Sequence, residues 1–167
     1  MDEVLSERAS WIWSLSLIAL TVAIHALGLV MMALMLEKIR FRLGRDNRSL
    51  GLRYVTPIVI GLVAAVGLLL AVLHGIEATI WAAAYLWLGA LGSPVDAMLY
   101  SFDSMSTRGA SGLTLQRHWR MMGALEAGTG MLLFGISTAY IFAMMQAYWP
   151  MLSRRAPRDQ PAAAKPD

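Results

Sequence analysis

Twenty-six consecutive residues, Trp11 to Leu36, carry no formal charge. At 1.5 Å per residue a helix of that length is longer than the roughly 30 Å hydrocarbon core of a bilayer. A small soluble domain needs a polar face on each of its helices, and this run offers only His25 and a few hydroxyl side chains. The chain therefore reads as an all-α integral membrane protein. Its composition agrees, with 57% hydrophobic and 15% charged residues against about 25% charged in a typical soluble domain. A length of 167 residues accommodates a few spans with short connections and leaves no room for an ordinary soluble catalytic domain. No cysteine is present, which excludes disulfides, thiolate metal sites and cysteine nucleophiles. Asp2, Glu3 and Glu7 precede the first run where a secretory signal would carry basic residues, so this span is expected to be retained.

The basic residues set direction. Lys38, Arg40, Arg42, Arg45, Arg48 and Arg53 crowd the segment after the first span, opposed only by Glu37 and Asp46. The positive-inside rule makes that loop cytoplasmic and the N-terminus external. Arg154, Arg155 and Arg158 place the C-terminal tail in the cytoplasm as well. Basic residues confined to loops suit anionic lipid headgroups and leave no presented surface for nucleic acid. A second apolar stretch begins near Tyr54 and reaches Leu91, either as one long helix or as two pieces broken near Gly75. The last, Trp119 to Trp149, is expected to end at Pro150, ahead of a disordered Pro- and Ala-rich tail. Three parts result: residues 1–53 with the first span and basic loop, 54–150, and the tail 151–167.

The stretch Gly92 to His118 is too short to span. Ser93 and Pro94 form an N-cap and first-turn pair, and Asp96 puts a negative charge where the helix dipole favours it. The predicted helix runs through Val95, Met98, Leu99, Phe102 and Met105 to about Ser106. It then meets Thr107, Arg108, Gly109, Ala110, Ser111 and Gly112, a backbone suited to unusual conformations. Two readings stand: a re-entrant loop at membrane depth, or an external loop carrying a short amphipathic helix.

Leu99-Tyr100-Ser101-Phe102-Asp103-Ser104-Met105-Ser106-Thr107-Arg108-Gly109-Ala110-Ser111-Gly112 resembles the pore helix and filter of potassium channels, whose pattern is close to YFSxxTxTTxGYGD. Ser101, Thr107 and Gly109 match; Ser104 and Ser106 replace threonines. His74-Gly75-Ile76-Glu77, Trp81 and Tyr85 before the loop are similar to small bacterial ion-channel-type proteins of that superfamily. So is the stretch after it, Trp119 to Ala127 with Gly130 and Phe134 to Ala139. The resemblance covers about Val55 to Gln146, and it implies three spans, a re-entrant pore helix and a homotetramer in a bacterial inner membrane. Ser106, Thr107, Arg108, Gly109, Ala110, Ser111 and Gly112 would then line the filter. Four loops would supply the backbone carbonyls that replace an ion's hydration shell. The departures fall on that chemistry: Arg108 replaces an aliphatic residue, Ala110 the bracing Tyr, Ser111 the second Gly and Gly112 the Asp.

An intramembrane arginine costs at least about 2.5–3.5 kcal/mol unless paired or hydrated. Arg108 could pair behind the filter with Asp103 or Glu126, face the pore as a fourfold ring, or belong to a different local fold. Gly123, Gly128, Gly130 and Gly135 allow close helix approach, and Gly128, Gly130 or Gly135 could hinge an inner helix. His74 and Glu77 stand i, i+3 and could share a metal, but two ligands lack a third, so hydrogen bonding near the outer interface is expected. His25 is expected to pack or bond within the bundle. No metal site or cofactor is expected, and no catalytic constellation is evident. The functional expectation is passive conduction of inorganic ions, cations foremost, through a non-standard filter. The rival is a non-conducting structural or regulatory membrane subunit that keeps the pore fold.

Overall fold

The computed structural model describes residues 2–46, 52–109 and 111–152, with side chains over 8–42, 56–109 and 111–150. The tail from residue 153, Ala110 and the link 47–51 lie outside the described residues. Four α-helices account for nearly all of the rest: α1 (Asp2–Asp46), α2 (Leu52–Trp87), α3 (Pro94–Met105) and α4 (Arg120–Leu152), with a 3-10 turn at Arg117–Trp119 before α4. Three stretches, Arg8–Arg42, Thr56–Trp87 and Arg117–Pro150, are long and apolar enough to cross a membrane.

Each end has a local cause. α2 is one unbroken helix, so Gly75 does not divide it. It stops where Gly89 takes φ +67°, a conformation a side chain would disfavour, while Ala90 N–H bonds Tyr85 O at 2.8 Å. α3 starts as its sequence predicts: Asp96 N–H donates to Ser93 Oγ at 3.4 Å, and Pro94 occupies the first turn. Two expectations need correction. The basic segment after Leu36 is not a loop from Glu37 onward but continues α1 to Asp46, because Lys, Arg, Glu and Leu are good helix formers whether or not lipid surrounds them. Pro150 does not end α4, which runs on to Leu152; a proline near a helix end forfeits one hydrogen bond without stopping the turns already formed.

α1, α2 and α4 pack on one another, and α3 lies against both α2 and α4. At one end Leu17, Trp81, Tyr85, Ala97, Trp119 and Met122 form a core shared by all four helices. At the other, Met32, Val66, Leu70, Leu73, Met144 and Tyr148 join α1, α2 and α4. Between them Ala78, Met105 and Leu133 seat the C-terminal end of α3 mid-way along the bundle. Ile12, Leu27, Leu68 and Phe142 are among many large apolar side chains that stay exposed, as expected of helices solvated by lipid or by further copies.

Candidate functional site

α3 is held by polar contacts that its short length could not supply alone. Ser101 and Glu126 are fully buried. The Glu126 carboxyl lies 2.5 Å from Ser101 Oγ and accepts from Tyr85 Oη at 2.6 Å, and Ser101 Oγ is also 2.8 Å from Ala78 O. Ser104 Oγ donates to Gly123 O at 2.9 Å. Two helices, α2 and α4, are thus tied to one face of α3.

The loop after α3 turns on left-handed residues. Thr107 has φ +56°, Gly109 +61° and Gly112 +70°. A β-branched residue at positive φ is strained and persists only where its surroundings over-determine it. Those surroundings are visible: Thr107 N–H bonds Ser104 O at 2.9 Å and Arg108 N–H bonds Asp103 O at 3.0 Å. Ser106 closes α3, its Oγ donating to Asp103 O at 3.2 Å. Asp103 then pins both halves of the loop, with Arg108 Nε at 2.7 Å from Oδ1 and Ser111 N–H donating to Oδ2 at 3.0 Å. Asp103 is buried, whereas the Arg108 side chain is 60% exposed. Glu126 stands apart from this ion pair, taken up by Tyr85 and Ser101. A cavity of about 500 Å³ lies beside the loop, bordered by Tyr100, Asp103, Ser104, Thr107, Gly109 and Gly112.

The glycines of α4 divide by environment. A Cβ on Gly130 would stand 2.7 Å from Met105 Cα, so this glycine is where α4 receives the end of α3. At Gly123 the obstacle would be Tyr100 Oη, and a Cβ on Gly128 or Gly135 would meet nothing within 4 Å among the described residues. α4 is continuous through all of them.

A second polar cluster adds His25 and Ser137 to the His74–Glu77 pair that the i, i+3 spacing already joined. His25 of α1 and Glu77 of α2 are buried and in contact, Nδ1 to Oε1 2.8 Å. His74 Nδ1 stands 3.1 Å from the other carboxylate oxygen of Glu77. Ser137 of α4 lies 3.1 Å from His74 Nε2 and 3.2 Å from His25 Nε2. The His74 ring stacks on Phe134 at 4.2 Å. His25 is at the midpoint of its spanning stretch, so the cluster sits inside the bundle rather than at an interface. The sequence signal available was the pair of histidines within long apolar runs; Ser137 carried none. The chain matches no protein-family model, no curated protein and no solved structure.

Proposed function

We propose that the chain is the subunit of a fourfold, potassium-channel-like pore that conducts inorganic cations passively through a non-standard filter. One observation carries the reading. A helix too short to cross a membrane, α3, runs directly into a loop with positive φ at Thr107, Gly109 and Gly112, backbone that regular helix or strand does not use. The C-terminal end of a helix carries partial negative charge, which favours a cation beyond it. One loop cannot close a ring of carbonyls, so the reading requires four chains, and the exposed apolar residues of α2 and α4 provide surface for their contact.

The Asp103–Arg108 contact supports a side chain turned aside from the ion path and tethered within its own subunit. With Ala110 and Ser111 in place of Tyr and Gly, strong potassium selectivity is not expected, and modest discrimination among monovalent cations is. The N-terminus would face outward and the basic stretch Lys38–Arg53 the cytoplasm, on anionic headgroups. A bacterial inner-membrane location is part of the same proposal, and the three apolar spans support its multi-pass character.

Purified protein in liposomes tests the reading. Potassium and sodium flux above that of empty vesicles, with tetramers in native mass spectrometry, is the expected result. Absence of flux from a well-incorporated tetramer would favour the non-conducting subunit, and a stable monomer in several mild detergents would remove the ring altogether.

A further inference from the structure

His25, Glu77, His74 and Ser137 close a ring of four contacts, and hydrogens can be counted around it. Glu77 Oε1 meets His25 Nδ1, His25 Nε2 meets Ser137 Oγ, Ser137 Oγ meets His74 Nε2, and His74 Nδ1 meets Glu77 Oε2. Each contact needs one hydrogen. Two neutral imidazoles supply one each, the serine hydroxyl supplies one and the carboxylate none. Three hydrogens serve four contacts, so for every choice of tautomers one pair of lone pairs faces another. The geometry marks where. His74 Nδ1 and Glu77 Oε2 are 3.1 Å apart, yet both are fully buried atoms without a hydrogen-bond partner. The ring is short of one cation.

We propose that His25, His74 and Glu77 form a binding site for a divalent transition-metal ion of the zinc type, joining α1 to α2 inside the bundle. One ligand atom from each residue lies within 4.8 Å of the others. Metal bonds of about 2.0–2.1 Å in tetrahedral array put ligand atoms about 3.3–3.4 Å apart. The separations of 2.8 and 3.1 Å to the two Glu77 oxygens therefore need adjustment by tenths of an ångström.

Loading the metal also resolves the hydrogen count. With both Nδ1 lone pairs on the ion, both histidines carry their hydrogen on Nε2, and both Nε2–H groups point at Ser137 Oγ. A hydroxyl oxygen has two acceptor lone pairs and takes both bonds. Its own hydrogen is free for a carbonyl one turn earlier, as helical serines commonly arrange. Ser137 thus becomes the outer partner that metal-bound histidines almost always have. The Phe134 ring stacked on His74 holds that imidazole in place and keeps water from one side.

Donor type selects the ion. Two imidazole nitrogens and one carboxylate suit zinc, cobalt, nickel or copper, whereas calcium and magnesium want six or more oxygens. Three protein ligands leave a position for water. The inference does not rest on conduction, because it concerns a cluster within one chain and away from the Thr107–Gly112 loop.

Cobalt(II) is the probe. The full chain, freed of any histidine tag and held in detergent, should bind one Co²⁺ with visible ligand-field bands of low coordination, displaced by Zn²⁺ and untouched by excess Ca²⁺ or Mg²⁺. His25→Ala and Glu77→Gln should each weaken binding by about 100-fold or more, and Ser137→Ala by about 10–100-fold. His118→Ala should change nothing. Zinc X-ray absorption of the unmodified protein, which needs no variant to fold, should report two imidazoles in the first shell. No saturable binding at one ion per chain, a ligand shell without imidazole, or affinity unchanged in His25→Ala and Glu77→Gln overturns the proposal; a ring that takes only a proton gives the first of these.

Discussion

Replacing Gly130 by alanine adds a methyl group where there is no room for one. The new Cβ would lie 2.7 Å from Cα and 2.8 Å from C of Met105, against ordinary contacts that begin near 3.4 Å. The obstacle is backbone at the last turn of α3, which cannot swing aside as a side chain can. The Met105 carbonyl oxygen stands closer still, so α3 must retreat by roughly 1 Å, and overpacking of this kind costs about 1–3 kcal/mol. Against that stands the helix propensity of alanine, better than glycine by up to about 1 kcal/mol. Gly128→Ala removes the second term by comparison, because a Cβ there would meet no other element within 4 Å among the described residues. The difference in stability between the two variants should then be the overpacking alone, about 1–3 kcal/mol. Reversible unfolding in mixed micelles titrated with SDS, followed by tryptophan fluorescence, measures it. Met105 stands two residues before the strained Thr107, so on the channel reading Gly130→Ala should also cut ion flux severalfold while Gly128→Ala leaves it near normal. Equal stability of the two variants within about 0.3 kcal/mol would refute the seating of α3 on Gly130.

Two further outcomes follow from charge and hydrogen-bond placement. Asp103 is the buried member of its ion pair and Arg108 the exposed one. Arg108→Leu should therefore cost about 1–3 kcal/mol by stripping a buried carboxylate of its cation. Asp103→Asn, which keeps an acceptor for Ser111 N–H and leaves a hydrated arginine, should cost under about 1 kcal/mol. The double variant should match the asparagine variant, and additive losses in a double-mutant cycle would contradict the pairing. Glu126→Gln should hold within about 1 kcal/mol of the unmodified protein, since an amide can accept from Tyr85 and donate to Ser101. Glu126→Ala should lose about 2–4 kcal/mol through a cavity and an orphaned tyrosine hydroxyl. A melting series in detergent that ranks these the other way would show that the carboxylate charge itself is required.

Local chemistry was legible in the amino-acid sequence because it needs no knowledge of neighbours. Hydrocarbon thickness against run length identified the three spanning stretches. Ser93, Pro94 and Asp96 announced where α3 begins. The resemblance left Asp103 and Glu126 both open as partners of Arg108, and the last turn of α3 brings Asp103 to it. The continuation of α1 to Asp46 was obscured because charge marks where lipid ends, not where a helix ends. What remained hidden depends on how each helix is rotated about its axis. In a soluble bundle the apolar stripe reveals that rotation; here helix exteriors such as Leu68 and Phe142 are as apolar as the interior, so the pattern is silent. Only the tertiary structure decided that Gly130 faces Met105, that Glu126 meets Tyr85 and Ser101 instead of Arg108, and that His25 faces His74, Glu77 and Ser137. A buried polar side chain must find a partner in a medium without water, but which partner it finds is settled by helix packing.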